Sequence, residues 1–393
     1  MKIARIRATP VNIPLEAPYL WAYGALGGFS RTIVEVETSD GIVGLGDVGS
    51  PAAAGVIDAM APRLIGLDAL DPAACERRVL PSWSGIASTI DFSSIRAFGA
   101  IDMALWDIRG KAWGRPIYDL LGGAVRHRVA FTDYYGFRLR HGDRGGEATV
   151  EAVVDYCLDL HQRFGTTAFE GKLSDPDPTA GIEILRRLRA ALGPRAILRV
   201  DSNMAYSLTT ALEIARPLVE LGVRNWEDPC ARFEDVAALA RHSPIRTSAH
   251  SPDLRRAAEL GAPHALCTDV ATHGGFARTQ RFIGACEAMG VDFWCYSGDS
   301  GIGTAAYLHL AAANQWIREP SQSLLRMQPL DVIEEGPFVP KDNSVTVPTG
   351  PGLGVTLSAE KLAFCHRHFV DHGPYNKYHD PENPGIMRRL PLA

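Results

Sequence analysis

Six polar residues through the middle of the chain each stand just after a short apolar run: Lys172, Asp201, Glu227, His250, Asp269 and Tyr296. The gaps between them are 29, 26, 23, 19 and 27 residues. Each gap has room for one strand, one helix and their loops. The beat therefore predicts a (β/α) barrel whose strands all release a side chain at the same end. In such barrels that C-terminal rim carries the chemistry, and functional groups come from several strands.

The predicted strands are Val129–Phe137, Ala168–Lys172, Ala196–Asp201, Val223–Glu227, Pro244–His250, His264–Asp269 and Val291–Tyr296, with an eighth near 323–328. Helical patterns fill the gaps, such as Val150–Phe164 and Ser207–Leu221. Upstream, the alternating run from Arg31 to Thr38, the turn Ser39-Asp40-Gly41 and the return Ile42–Gly46 read as a β-meander. From Ser94 to Trp113, Ile95, Phe98, Ile101, Leu105 and Ile108 repeat at helical spacing, until Gly114-Arg115-Pro116 ends the pattern. The expected fold class is thus α/β: an α+β capping domain over 1–125, a modified (β/α) barrel over 126–335, and a Pro- and Gly-rich segment over 336–393 returning to the cap.

Charge and cysteine content narrow the class. Forty basic against 45 acidic residues leave a net charge of −5, with no basic footprint for nucleic acid and no polybasic membrane anchor. No apolar run is long enough to span a bilayer, and the N-terminus lacks a signal-peptide pattern. Seven scattered cysteines without a CxxC pair read as reduced core thiols of a cytoplasmic protein.

Asp201 and Glu227 end successive strands. Two such carboxylates meet the need of a hard divalent cation, which takes a few protein oxygens and leaves room for water and substrate. Taken singly, either acid would equally serve as a loop cap. The third ligand is open between Ser248 and His250, which share a strand face. Lys172 ends its strand beside them. A neighbouring cation disfavours the charged form of a lysine and suits it to act as a base. Glu170 shares its face. Gly298–Gly303 is glycine-rich before a helix and offers a seat for an anionic group.

Over nearly its whole length the chain resembles the enolase superfamily, mandelate racemase/muconate lactonizing enzyme type, nearest the glucarate dehydratase branch. The residues carrying this are Arg31-Thr-Ile-Val-Glu35, Gly44-Leu-Gly46-Asp47, Ala100–Asp107, Gly114–Gly122, Asp201-Ser-Asn203, Trp226-Glu-Asp-Pro229, Gly274-Gly275 and Val347–Gly354. The resemblance implies Mg²⁺ at the ends of the third to fifth strands. It also implies proton abstraction next to a carboxylate, with the metal stabilising the enediolate and a Lys or His as base. Three departures stand out. Only the second lysine of a Lys-x-Lys remains, after Glu170. Thr247-Ser248-Ala249-His250 replaces a fifth-strand asparagine. Asp269 is kept, but Tyr296 replaces its histidine partner, so two-base racemisation is not supported.

The reading is a metal-dependent lyase acting on a small hydroxy-carboxylate or sugar acid. Asp201, Glu227 and His250 are the metal ligands, and Lys172, Tyr296 and Asp269 the catalytic groups. Tyr134, Tyr135, Glu170 and Asn203 are expected to meet the substrate. Loops of the cap around Trp21 to Gly28 would close the site. The alternatives are an epimerase or racemase sharing the same first step, or a non-catalytic ligand-binding descendant. A homo-oligomer is the default expectation for an enzyme of this kind.

Overall fold

The N-terminal meander is a three-stranded antiparallel sheet of β1 (Ile3–Trp21), β2 (Gly24–Thr38) and β3 (Val43–Val48). The computed structural model describes residues 1–80, 92–296, 300–322, 324–375 and 386–393. Three helices cover the sheet: α1 (Ala53–Leu64), α2 (Pro72–Val79) and the long α3 (Phe92–Trp113). Gly44 and Gly46 let β3 lie directly on α3, since a Cβ on either would collide with the carbonyl oxygens of Ala104 or Ala100. Arg31 grips Asp47 through Nε at 2.8 and 2.9 Å, with both side chains buried between β2 and β3.

After α4 (Ile117–Leu120), the predicted first strand divides. Residues of β4 (Arg128–Ala130) leave the barrel and pair antiparallel with β12 (Ser344–Thr346) of the return segment. Only β5 (Asp133–Tyr135) joins the barrel sheet. Then α5 (Val150–Phe164), β6 (Ala168–Lys172), α6 (Thr179–Leu192), β7 (Ile197–Asp201), α7 (Leu208–Glu220) and β8 (Asn225–Glu227) follow in strict alternation. The pattern continues through α8 (Phe233–His242), β9 (Thr247–Ala249), α9 (Leu254–Leu260), β10 (Ala265–Thr268), α10 (Phe276–Met289), β11 (Asp292–Cys295) and α11 (Gly301–Ala312). The seven strands β5 to β11 pair in parallel, in sequence order, as helical crossovers require.

No eighth strand forms at 324–328. Leu325–Met327 is a turn of 3-10 helix instead. The gap between β5 and β11 is closed slightly earlier by Ser321, which bridges Phe131, and by Gln322, whose N–H donates to Cys295 O at 3.1 Å. The interior behind this seam is filled by polar groups that the apolar-run reading did not place. Glu170 and Arg199 form an ion pair at 2.6 Å with both side chains fully buried, and Arg199 lies over the Trp294 ring at 4.6 Å.

The return segment runs back along the cap. Leu353 N–H donates to Asp107 on α3, and the last described helix, α12 (Ala359–His372), packs on β1. There His366 Nδ1 meets Pro10 O at 2.7 Å and Asn12 bridges His368 and the carbonyl of Gly373. One continuous core joins cap helices, β10, β11, α11 and this segment, with the Trp106 and Phe276 rings 5.8 Å apart across it. All seven cysteines are buried and unbridged, and among the described residues no helix is long and apolar enough to cross a membrane.

Candidate active site

Strand register sets the site. Lys172 is opposite Asp201 on β7, Asp201 opposite Glu227 on β8, and Glu227 opposite Ser248 on β9. A lysine and two acids thus form one row at the C-terminal ends of three adjacent strands. His250, Asp269 and Tyr296 lie just past the ends of β9, β10 and β11 on the same rim.

Lys172 Nζ donates to Asp201 and, at 2.7 Å, to Asn203 Oδ1. Asp201 Oδ2 also accepts from the Tyr134 hydroxyl at 3.1 Å and from Asn203 Nδ2 at 3.0 Å. Asn203 reaches back because its φ is 45°, a left-handed conformation that asparagine tolerates better than most residues. Burial alone would lower the Lys172 pKa, but the Asp201 carboxylate outweighs it and pushes the amine up to about 12. Asp201 in turn is held below the usual carboxylate range: burial would raise it, and Lys172 and His250 overcome that.

A second cluster sits beside the first. The Asp228 carboxylate accepts from His250 Nδ1 at 3.0 Å, and Glu227 Oε1 lies 2.8 Å from the same nitrogen. Ligand atoms of Glu227, Asp228 and His250 all lie within 4.8 Å of one another. Burial and the nearby Asp201 charge raise the Glu227 pKa, with His250 opposing. Burial would lower the His250 pKa, but the two acids raise it well above the ordinary value.

The fit to a divalent cation rests on Glu227 Oε1. It is buried, meets only the His250 ring nitrogen at 2.8 Å without an aligned hydrogen bond, and lies in one cluster with an Asp228 oxygen. A buried carboxylate oxygen so sparsely partnered favours a positive ligand. Hard oxygen ligands of this kind suit Mg²⁺, Ca²⁺ or Mn²⁺, and imidazole suits transition metals better. The residues Glu227, Asp228 and His250 therefore fit such an ion, while Asp201, expected as a ligand, stands on the next strand with its oxygens taken by Lys172, Tyr134 and Asn203.

Across the rim, the Tyr296 hydroxyl donates to Asp269, whose other oxygen accepts from Thr272 N–H. Burial would raise Asp269, but Arg96, 3.9 Å away, and these donors hold it low. The Tyr296 and His250 rings are 5.2 Å apart, which joins this pair to the acidic cluster. Over Lys172 stands the tip of the β1–β2 hairpin. The ring centroids of Trp21, Tyr19 and Tyr134 lie 5.6, 5.8 and 5.2 Å from its Nζ. Leu20 N–H donates to Phe137 O at 2.8 Å, which ties the tip to the barrel.

Three expectations are corrected, and the choice between Ser248 and His250 is narrowed. Tyr135 does not reach the site. It alternates with Tyr134 and so points outward, packing on Gly171, Phe169 and α5. Glu170 shares the inward face with Lys172 but lies one layer deeper and fully buried, where Arg199, Thr132 and Gln322 occupy it, so no substrate meets it. Ser248 is buried and accepts from Asn225 Nδ2 at 2.7 Å, which leaves His250 facing the cluster. The N-terminus of α11 is filled from within the chain: Asp331 accepts from Gly301 N–H, and Ser300 caps Gly303 while donating to Asp47. Residues 297–299 of that glycine-rich motif lie outside the described residues.

Sequence reasoning missed Asp228, because strict alternation from Glu227 would put it on the opposite face. Its φ of 42° turns it back, and the following proline was the available signal of a strand about to break. It also missed Gln322, whose amide donates to both Glu170 and Glu227 and so fixes the Glu227 carboxylate from below.

Comparison with known proteins agrees with this fold. The family model for the mandelate racemase / muconate lactonizing enzyme N-terminal domain matches residues 3–122, and the model for the enolase C-terminal domain-like family matches 152–361. A probable glucarate dehydratase of Streptomyces coelicolor is 28% identical, covering 94% of this chain and 92% of its own length. A chloromuconate cycloisomerase of Pseudomonas putida is 29% identical, with 95% and 100% covered. A crystal structure of an enolase from Thermobispora bispora, complexed with magnesium and formate, superposes with a TM-score of 0.86 at 29% identity, covering 96% of both chains. With both halves matched by their family models, the chain belongs to the enolase superfamily, of the mandelate racemase/muconate lactonizing enzyme type.

Proposed function

We propose that this chain is a Mg²⁺-dependent lyase that removes the proton alpha to the carboxylate of a small hydroxy acid and then expels a β-hydroxyl group. The observation that carries the reading is the row Lys172–Asp201–Glu227: an amine beside two buried acids, one of which has an oxygen that makes no aligned hydrogen bond. A divalent cation bound there would act as a Lewis acid, offsetting the charge that develops on the substrate carboxylate as its alpha proton leaves. The magnesium complex of the Thermobispora relative supports the choice of ion.

Lys172 is the base. The bond it makes to Asp201 keeps it charged; were Asp201 to hold a divalent cation as well, that hold would weaken, so that the amine could lose its proton to solvent and then accept the substrate's alpha proton. Asn203 keeps Nζ aimed while this happens. Tyr134 holds the other side of Asp201. Tyr296, hydrogen-bonded to Asp269, is the acid that protonates the leaving hydroxyl, and the hairpin tip excludes water above Lys172.

The test is exchange of the alpha proton in deuterated water with Mg²⁺ and a panel of hydroxy and sugar acids. The lyase reading expects deuterium uptake followed by a keto acid. Lys172→Met should lower both by at least about 10²-fold while the fold persists. Exchange with retention of the hydroxyl group supports instead an isomerase, the reading favoured by the cycloisomerase relative. Binding without exchange excludes an enzyme of this type.

A further inference from the structure

Gln322 stands at the seam between β5 and β11, and its backbone is fixed from both sides. Its own N–H donates to Cys295 O at 3.1 Å, and the preceding Ser321 carbonyl accepts from Thr132 N–H at 2.9 Å. The side chain is buried in the barrel interior beneath the rim. Its amide meets three groups there. Nε2 donates to Glu170 Oε1 at 2.6 Å and to Glu227 Oε2, while Oε1 accepts from the Cys267 thiol at 3.0 Å. These neighbours decide which way round the amide stands. A flipped amide would turn its oxygen on two carboxylates and leave the thiol without an acceptor.

The two oxygens of Glu227 are thereby divided. Oε2 is held from below by the amide, and Oε1 is left toward Asp228 and His250, where it makes no aligned hydrogen bond. The chemistry of the donor matters as much as its position. Glu170 already has a cation, since Arg199 lies 2.6 Å away. A lysine in place of Gln322 could also donate to both acids, but it would set a positive charge against Glu227 and repel an incoming cation. An amide supplies two hydrogens and no charge, so the carboxylate's charge stays available. An apolar residue would strip both buried oxygens of this donor, which is costly.

Resting on the metal-dependent reading above, we infer that Gln322 is a positioning residue for the metal site: it turns Glu227 so that Oε1 alone is offered to the cation, without cancelling the charge that attracts it. Cys267 acts one step further out, by fixing the orientation of the amide. Hydrogen bonds of this kind to a metal ligand typically govern about 10–100-fold in metal affinity.

The test is Mn²⁺ binding to the metal-free protein, read from the electron paramagnetic resonance signal of the free ion. The denaturation midpoint of each sample without metal is measured alongside. Gln322→Leu and Gln322→Lys should each weaken Mn²⁺ binding by at least about tenfold. A merely structural role would lower the midpoint of the leucine variant and leave the affinity of the lysine variant intact, because lysine keeps a donor for both acids. Cys267→Ala should weaken binding by about threefold, and Cys267→Ser, which keeps a donor, should restore it. This second pair reads the inference even where a Gln322 variant folds poorly. Wild-type affinity in Gln322→Leu, in Gln322→Lys or in Cys267→Ala overturns it. A wild-type protein that binds no Mn²⁺ fails the metal-dependent reading itself, and this inference with it.

Discussion

At the level of single residues, the central contact is the bond between Lys172 and Asp201, because in the proposed reaction it sets when the amine can act. Across the rim, Tyr296 replaces the histidine that the resemblance leads one to expect, and its hydroxyl is committed to Asp269. A phenol is a poor base near neutrality but a usable acid once a leaving oxygen approaches. Tyr296→Phe should therefore spare alpha-proton exchange to within a few-fold and slow water loss by about 10²-fold, as measured by comparing deuterium uptake with keto-acid formation. Equal losses in both would place the tyrosine in the first step instead. Lys172, Asp201, Glu227 and Tyr296 were legible in the sequence because each follows an apolar run that has only one place to stop. Tyr135 and Glu170 were not, because strands of a parallel barrel are buried on both faces, and alternation cannot say which face looks into the mouth or how deep.

At the level of elements, close approaches explain motifs that carry no chemistry. Gly46 brings β3 against the α3 backbone, and Gly46→Ala should destabilise the protein by about 1–3 kcal/mol or more, read as a lowered denaturation midpoint. Gly275, at φ 109°, lies against the Asp102 carboxyl, which accepts from Phe276 N–H at 2.7 Å and so joins α3 to the start of α10. Burial pushes the Asp102 pKa from 3.8 to about 7. A raised carboxyl pKa means that the folded state binds the proton more tightly than the unfolded chain. This group's stabilising contribution is thus complete below about pH 4 and is lost as pH rises toward 7, at up to about 1.4 kcal/mol per pH unit. Asp102→Asn, which keeps an acceptor for Phe276, should flatten that part of the stability–pH curve in denaturant titrations. An unchanged slope would mean that the carboxyl is not the source. The three-stranded sheet, the long helix and the alternating barrel were all readable from periodicity. The eighth strand was not, because the barrel closes there through two residues, Ser321 and Gln322, too few to make a pattern.

At the level of the whole molecule, the cap, the β10–β11 side of the barrel and the return segment share one core, while the hairpin that covers Lys172 packs in a cluster of its own with Tyr134, Leu324 and Met327 and is tied to the barrel by the Leu20–Phe137 hydrogen bond. Several buried acids converge on the mouth, and the ion that the geometry invites is the piece on which the chemistry depends. Crystals soaked in Mn²⁺ and measured for anomalous scattering test this most directly. The account predicts one strong peak within bonding distance of Glu227 and at least one of Asp201, Asp228 and His250, with Lys172 Nζ withdrawn from Asp201. A map with no peak between these side chains, and the Lys172–Asp201 bond intact, would contradict it.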